Sequence, residues 1–138
     1  MDAKKGFDLS ILDTVAGANA GFDVQIYHPS NNENLGITIH VIGRDSDEFK
    51  RVLWAQSKKR IAKMQKSGNR PGLFYPEDSE RDGLELLAAC TKSWSGVIVK
   101  GKTLECTPDN VIMVYEQFPW IREQVDAAIG DRANFIKA

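Results

Sequence analysis

Two stretches in the first third of the chain alternate apolar and polar residues. In "FDVQIYHP", Phe22, Val24 and Ile26 fall on one side of an extended backbone; in "GITIHVIG", Ile37, Ile39 and Val41 do the same. Side chains of a strand point to opposite faces in turn, so period two predicts two strands, each with one buried face. The intervening "HPSNNENLG" is dense in turn-forming residues, which makes the pair an antiparallel hairpin with a long loop. Upstream, "FDLSILDTVAGANAG" sets Phe7, Ile11, Leu12 and Val15 at near-helical spacing, with Gly17 to Gly21 as a stop. A short first helix is expected there.

Beyond residue 44 the period changes to that of helices. "RDSDEFKRVLWAQSKKRIAKMQKSGNRPG" offers Asp45 or Ser46 as N-cap and Asp47 and Glu48 in the first turn, where the helix dipole favours negative charge. Phe49, Leu53, Ile61 and Met64 form an apolar stripe interrupted by Ser57, and the helix should end near Ser67 or Gly68. "NRPGLFYPED" reads as a loop whose Leu73, Phe74 and Tyr75 are apolar enough to rest on the body or on a neighbour. Ser79 with Asp82 marks the next helix start, and Leu84, Leu87, Cys90 and Trp94 carry its apolar side.

"GVIVKGKTLEC" alternates about Lys100-Gly101 and predicts a small hairpin or a tight turn. Thr107 suits an N-cap because Pro108 fits the first helical position, where a missing N–H costs nothing. Val111, Val114, Tyr115 and Phe118 share one face of that helix. Pro119 must break or kink it, and a last amphipathic helix follows, lined by Ile121, Val125, Ala128, Ile129 and Phe135 or Ile136. The fold class expected is α+β: an N-terminal β-hairpin packed with four or five helices, and a helix-dominated C-terminal half.

At 138 residues the chain suits a single domain spanning 1–138, long enough to bury roughly two thirds of its unfolded surface. A formal net charge of −1 supplies no global pull toward nucleic acid or an anionic membrane. The opening lacks the apolar run of a signal peptide, and no window reaches the ~20 apolar residues of a membrane span. A cytosolic protein is expected, with Cys90 and Cys106 as reduced thiols.

The common phosphate-binding, zinc and nucleophile motifs are absent from the sequence. His28 and His40 with the two cysteines lack ligand-pair spacing, so strand-face histidines and buried thiols are expected in place of a metal site. Carboxylates such as Asp78, Glu80 and Asp82 sit where a helix start explains them. No catalytic residue, cofactor or metal ligand is therefore assigned, and no enzyme activity is expected. One charge asymmetry stands out: Lys50, Arg51, Lys58, Lys59, Arg60, Lys63, Lys66 and Arg70 meet no acidic residue after Glu48, and an acidic cluster from Glu77 to Glu85 follows. A solvated face, or one complemented within or between subunits, is the main reading, ahead of phosphate tracking.

The segment "LLAACTKSWSGVIVKGKTLECTPDNVIMVYEQFPWIREQVDAAIGDRANFIKA" resembles the tail assembly chaperones of long-tailed bacteriophages. The matching features are Trp94-Ser95-Gly96, the turn Gly101-Lys102-Thr103-Leu104, the helix start Pro108-Asp109-Asn110, and Tyr115 through Val125; upstream, "IGRDSDEFKRV" is similar to a helix start of that family. The resemblance implies a chaperone that binds the tape measure protein, keeps it soluble and brings tail tube subunits to it. It also implies a homo-oligomer in the host cytoplasm, absent from the mature virion, without nucleic-acid or membrane partners. The alternatives are a structural virion component, such as a head-tail joining or tail-completion protein, and a DNA-binding regulator using the Lys58 to Lys66 face.

The family pattern names no functional residues. Partner contacts are instead expected at Trp54, Phe74, Tyr75 and Trp120. Trp54 stands about one helical position off the stripe of its helix, which makes it the tryptophan best placed to touch a partner.

Overall fold

In a computed structural model, which describes residues 6–66 and 76–136, β1 (Phe22–Tyr27) and β2 (Asn34–Val41) pair antiparallel with Val24 opposite Ile39 and Ile26 opposite Ile37. The register places Phe22, Val24 and Ile26 of β1 on a common face with Ile37, Ile39 and Val41 of β2, and a slip by one would turn these residues to solvent. The hairpin is joined by a third strand, β3 (Thr91–Ser95), antiparallel to β2 in the order β1-β2-β3, with Ile39 opposite Trp94. This corrects the expectation that Trp94 continues a helix. "TKSWS" is too polar to announce a strand, and it becomes one because β2 presents a free edge to it.

The helices pack on one face of this sheet. α3 (Pro76–Cys90) supplies Leu84, Leu87 and Cys90; α4 (Pro108–Gln117) supplies Val111, Val114 and Tyr115; α5 (Pro119–Gly130) supplies Ile121, Val125 and Ile129. Together with Val24, Ile26, Ile39 and Val41 they form one buried cluster, each fully buried aliphatic side chain contributing about 1.5–3 kcal/mol. α3 begins at Pro76, three residues before the expected cap at Ser79. Between β3 and α4, the small hairpin β4 (Ile98–Val99) and β5 (Lys102–Thr103) turns through Lys100 and Gly101, both at positive φ (51° and 78°), the conformation a two-residue hairpin loop demands.

The α4–α5 corner follows from two local rules. Asn110 N donates to Thr107 Oγ1 at 3.2 Å, capping α4, and Pro119 opens α5 after Phe118 leaves the helical region (φ −120°, ψ 73°). α5 then meets the edge of the sheet. The Gln124 side chain accepts from Tyr27 N at 2.9 Å and donates to Tyr27 O at 2.8 Å, so one amide stands in for a neighbouring strand at that edge. After α5 the chain makes a 3-10 turn at Arg132–Phe135, which buries Phe135 and leaves Ile136 outside.

Two expectations change in the N-terminal half. The predicted first helix divides into a 3-10 turn, Leu9–Leu12, and α1 (Thr14–Ala20), because Asp13 caps the second by accepting from Ala16 N at 3.0 Å. Phe7, Ile11, Leu12 and Val15 stay exposed. The second change concerns α2 (Asp47–Lys66), capped by Ser46, whose Oγ accepts from Phe49 N at 3.2 Å. None of its residues is buried. Of the expected stripe only Phe49 packs against the core; Leu53, Ile61 and Met64 are exposed.

The reason lies in which face α3 meets. Gln56 Nε2 donates to Asp82 O at 2.8 Å, Arg60 pairs with Asp82 at 3.6 Å, and Lys63 pairs with Asp78 at 3.0 Å. Opposite charge on two adjacent helices, with Lys92 of β3 paired to Glu48 near the start of α2, docks α2 by a polar face. No helix among the described residues is long and apolar enough to cross a membrane.

Candidate partner-binding surface

Docking α2 through the row Gln56, Arg60 and Lys63 turns the opposite side of the helix outward. At 100° per residue, Lys50, Trp54, Ser57, Ile61 and Met64 run along that outer side with steps of four and three. Trp54 is 70% exposed and Ile61 56% exposed, with Leu53 beside them at 42%. Exposure of one large apolar residue is ordinary, whereas three on one helix make a contiguous ridge that water solvates poorly.

The electrostatics of the ridge are one-sided. α2 carries seven basic residues against Asp47 and Glu48. Arg60 and Lys63 are neutralised by α3 on the inner face, and Arg51 lies 3.2 Å from Glu48 one turn away. Lys50 and Lys58, which flank Trp54 and Ile61, have no ion-pair partner among the described residues.

Comparisons with protein-family models, with characterised proteins and with solved structures find no match to this chain. The surface must therefore be read from its own residues.

Of the four expected contact residues, the structure places two. Trp54 is on the ridge. Trp120 is half-buried in the first turn of α5, packed against the core and edge-on to Phe118 at 6.4 Å and 75°. Phe74 and Tyr75 lie outside the described residues. Sequence reasoning missed Ile61 and Leu53 by assigning them to the core. The available signal was the seven-residue step from Trp54 to Ile61, which returns to the same side of a helix after two turns.

Other polar groups have structural partners. His28 Nδ1 accepts from Ser30 N (3.0 Å) and Asn31 N (3.3 Å) and orders the β1–β2 loop, and His40 Nδ1 lies 2.7 Å from Asp23 Oδ1 across the strand pair. Cys90 is buried, and loss of solvation pushes its thiol up to about 12, so it is neither nucleophile nor ready ligand. The Asp45 carboxylate receives two hydrogen bonds from Arg132, at 2.6 and 3.0 Å, which hold its pKa at about 2 against the opposing effect of burial. The cavity between α3 and α4, about 470 Å³, is lined by carboxylates and Arg81 over Leu84 and Ile112. Two of those carboxylates are engaged, Asp78 with Lys63 and Glu80 with Arg122. Among the described residues no cluster of His, Cys, Asp and Glu has the arrangement of a metal site.

Proposed function

We propose that this chain is a tail assembly chaperone of a long-tailed bacteriophage. It binds the tape measure protein, keeps it soluble in the host cytoplasm, helps recruit tail tube subunits, and is left out of the finished virion. The observation that carries the reading is the outer ridge of α2, an unburied helix face on which Trp54 and Ile61 stand exposed beside Lys50 and Lys58. A long helical client offers its apolar side to such a ridge in the manner of helix-on-helix recognition. The resemblance of the segment from Leu86 to the C-terminus to that family points the same way.

Work of this kind needs contact and release without covalent chemistry, so the protein acts as a binding protein and not as an enzyme. Many copies along one client, as a homo-oligomer or side by side, give lasting coverage from modest individual affinity. Coexpression with the tape measure protein of the same phage, followed by affinity capture and light scattering, tests the reading. A soluble complex with several copies per client is expected. A tape measure protein that is soluble alone and never captured would overturn it; recovery of this chain from purified particles would favour a structural virion component instead.

A further inference from the structure

We propose that the outer ridge of α2 is a docking surface for an acidic amphipathic helix. The inference deepens the client-binding reading by naming the chemistry of the segment bound, and it rests on that reading only for which protein supplies the segment. From Lys50 to Ile61 the ridge runs about 16 Å at 1.5 Å per residue. Its steps of four and three are those by which one helix meets another along a seam. Trp54 and Ile61 stand two turns apart as the apolar anchors of that seam, at 70% and 56% exposure.

Charge decides the occupant. Lys50 and Lys58 border the anchors without an ion partner among the described residues, and α2 contains no acidic residue after Glu48. A partner helix lying on the seam brings its own flanking positions against these lysines, so those positions carry Glu or Asp. The same charges work against two α2 helices pairing face to face, because that contact sets lysine against lysine. They do not make the ridge a phosphate track, since two large apolar groups occupy the positions where a nucleic-acid backbone needs cations.

A synthetic helix of about three heptads with Leu along its seam and Glu at the flanking positions is the probe. It is compared with the same peptide carrying Lys for Glu and with duplex DNA, by fluorescence anisotropy on the full chain. The Glu peptide is expected to bind at least about tenfold more tightly than the Lys peptide, with affinity falling as salt rises. Trp54→Ser and, separately, Ile61→Ser are expected to weaken it about tenfold or more while circular dichroism stays unchanged. Lys50→Glu with Lys58→Glu is expected to reverse the preference toward the Lys peptide.

Equal binding of the two peptides, or binding indifferent to both ridge substitutions, would overturn the proposal. So would tighter binding of duplex DNA that depends on Lys50 and Lys58, or self-association of the chain that Trp54→Ser abolishes, which would give the ridge to a second copy. Peptide recognition without capture of the tape measure protein would keep the ridge assignment and reject that client; capture without peptide recognition would place the client elsewhere.

Discussion

Tyr115 is fully buried at the centre of the core, and its hydroxyl lies 2.7 Å from Thr91 Oγ1, which donates to Leu87 O at 2.8 Å. With the threonine proton committed to the carbonyl, Tyr115 must be the donor to Thr91, and burial raises its pKa so that it keeps that proton. The two ends of the relay are unequal. Thr91→Val strands a buried phenol and is expected to cost about 1–3 kcal/mol, whereas Tyr115→Phe leaves Thr91 bonded to Leu87 and is expected to cost about 1 kcal/mol. Denaturant melts of both variants check the order. At the surface, Asp45 has a folded pKa of about 2, below the ordinary value near 3.9. Its contribution to stability is full above pH ~4 and fades as pH falls from there through the folded value near 2. Asp45→Asn should therefore lower stability at pH 7 and lessen the loss that the unaltered protein shows between pH 4 and pH 2, read from unfolding midpoints along that range.

Elements in this chain differ in how they are held, and glycine shows it most directly. A Cβ on Gly17 of α1 would come within 1.6 Å of the Phe135 carbonyl oxygen, so α1 and the C-terminal turn approach at a distance that only glycine permits. Gly17→Ala is expected to destabilise by about 3 kcal/mol or more, because rigid backbone must yield. Ile61→Ser on α2 removes a side chain that the fold does not bury, and it should leave the melting transition within about 0.5 kcal/mol. Thermal unfolding of the two variants separates an element locked by packing from one laid on by charge. Small residues where α1 crosses the C-terminal turn and salt bridges between α2 and α3 are thus different answers to the same problem of attachment.

At the scale of the whole molecule, a three-stranded antiparallel sheet carries α3, α4 and α5 on one face, while α2 is bound to α3 by its polar side. The core takes only Phe49 from α2's apolar stripe, and that is why Leu53 and Ile61 stay exposed. A net charge of −1 conceals basic residues gathered on α2 and acidic residues on α3, so charge acts locally: it docks one helix and leaves Lys50 and Lys58 without an ion pair among the described residues.

Local physics made much of this legible from the sequence alone. Period two located β1 and β2, the Thr107-Pro108 start and the Pro119 break delimited α4 and α5, and Lys100-Gly101 marked the small hairpin, because each depends on neighbours along the chain. The amphipathic pattern of α2 was equally plain, and it established that the helix has an apolar side. Whether that side faces the core or the solvent depends on what lies across from it, and α3 offers carboxylates where an apolar stripe would need leucines. The strand at Thr91–Ser95 is likewise decided at a distance, by the free edge of β2, since Thr91 and Trp94 favour extension but five mostly polar residues show no buried face. Periodicity and capping act within a few residues and can be read in order; burial and strand partnership are set by groups that only the folded chain brings together.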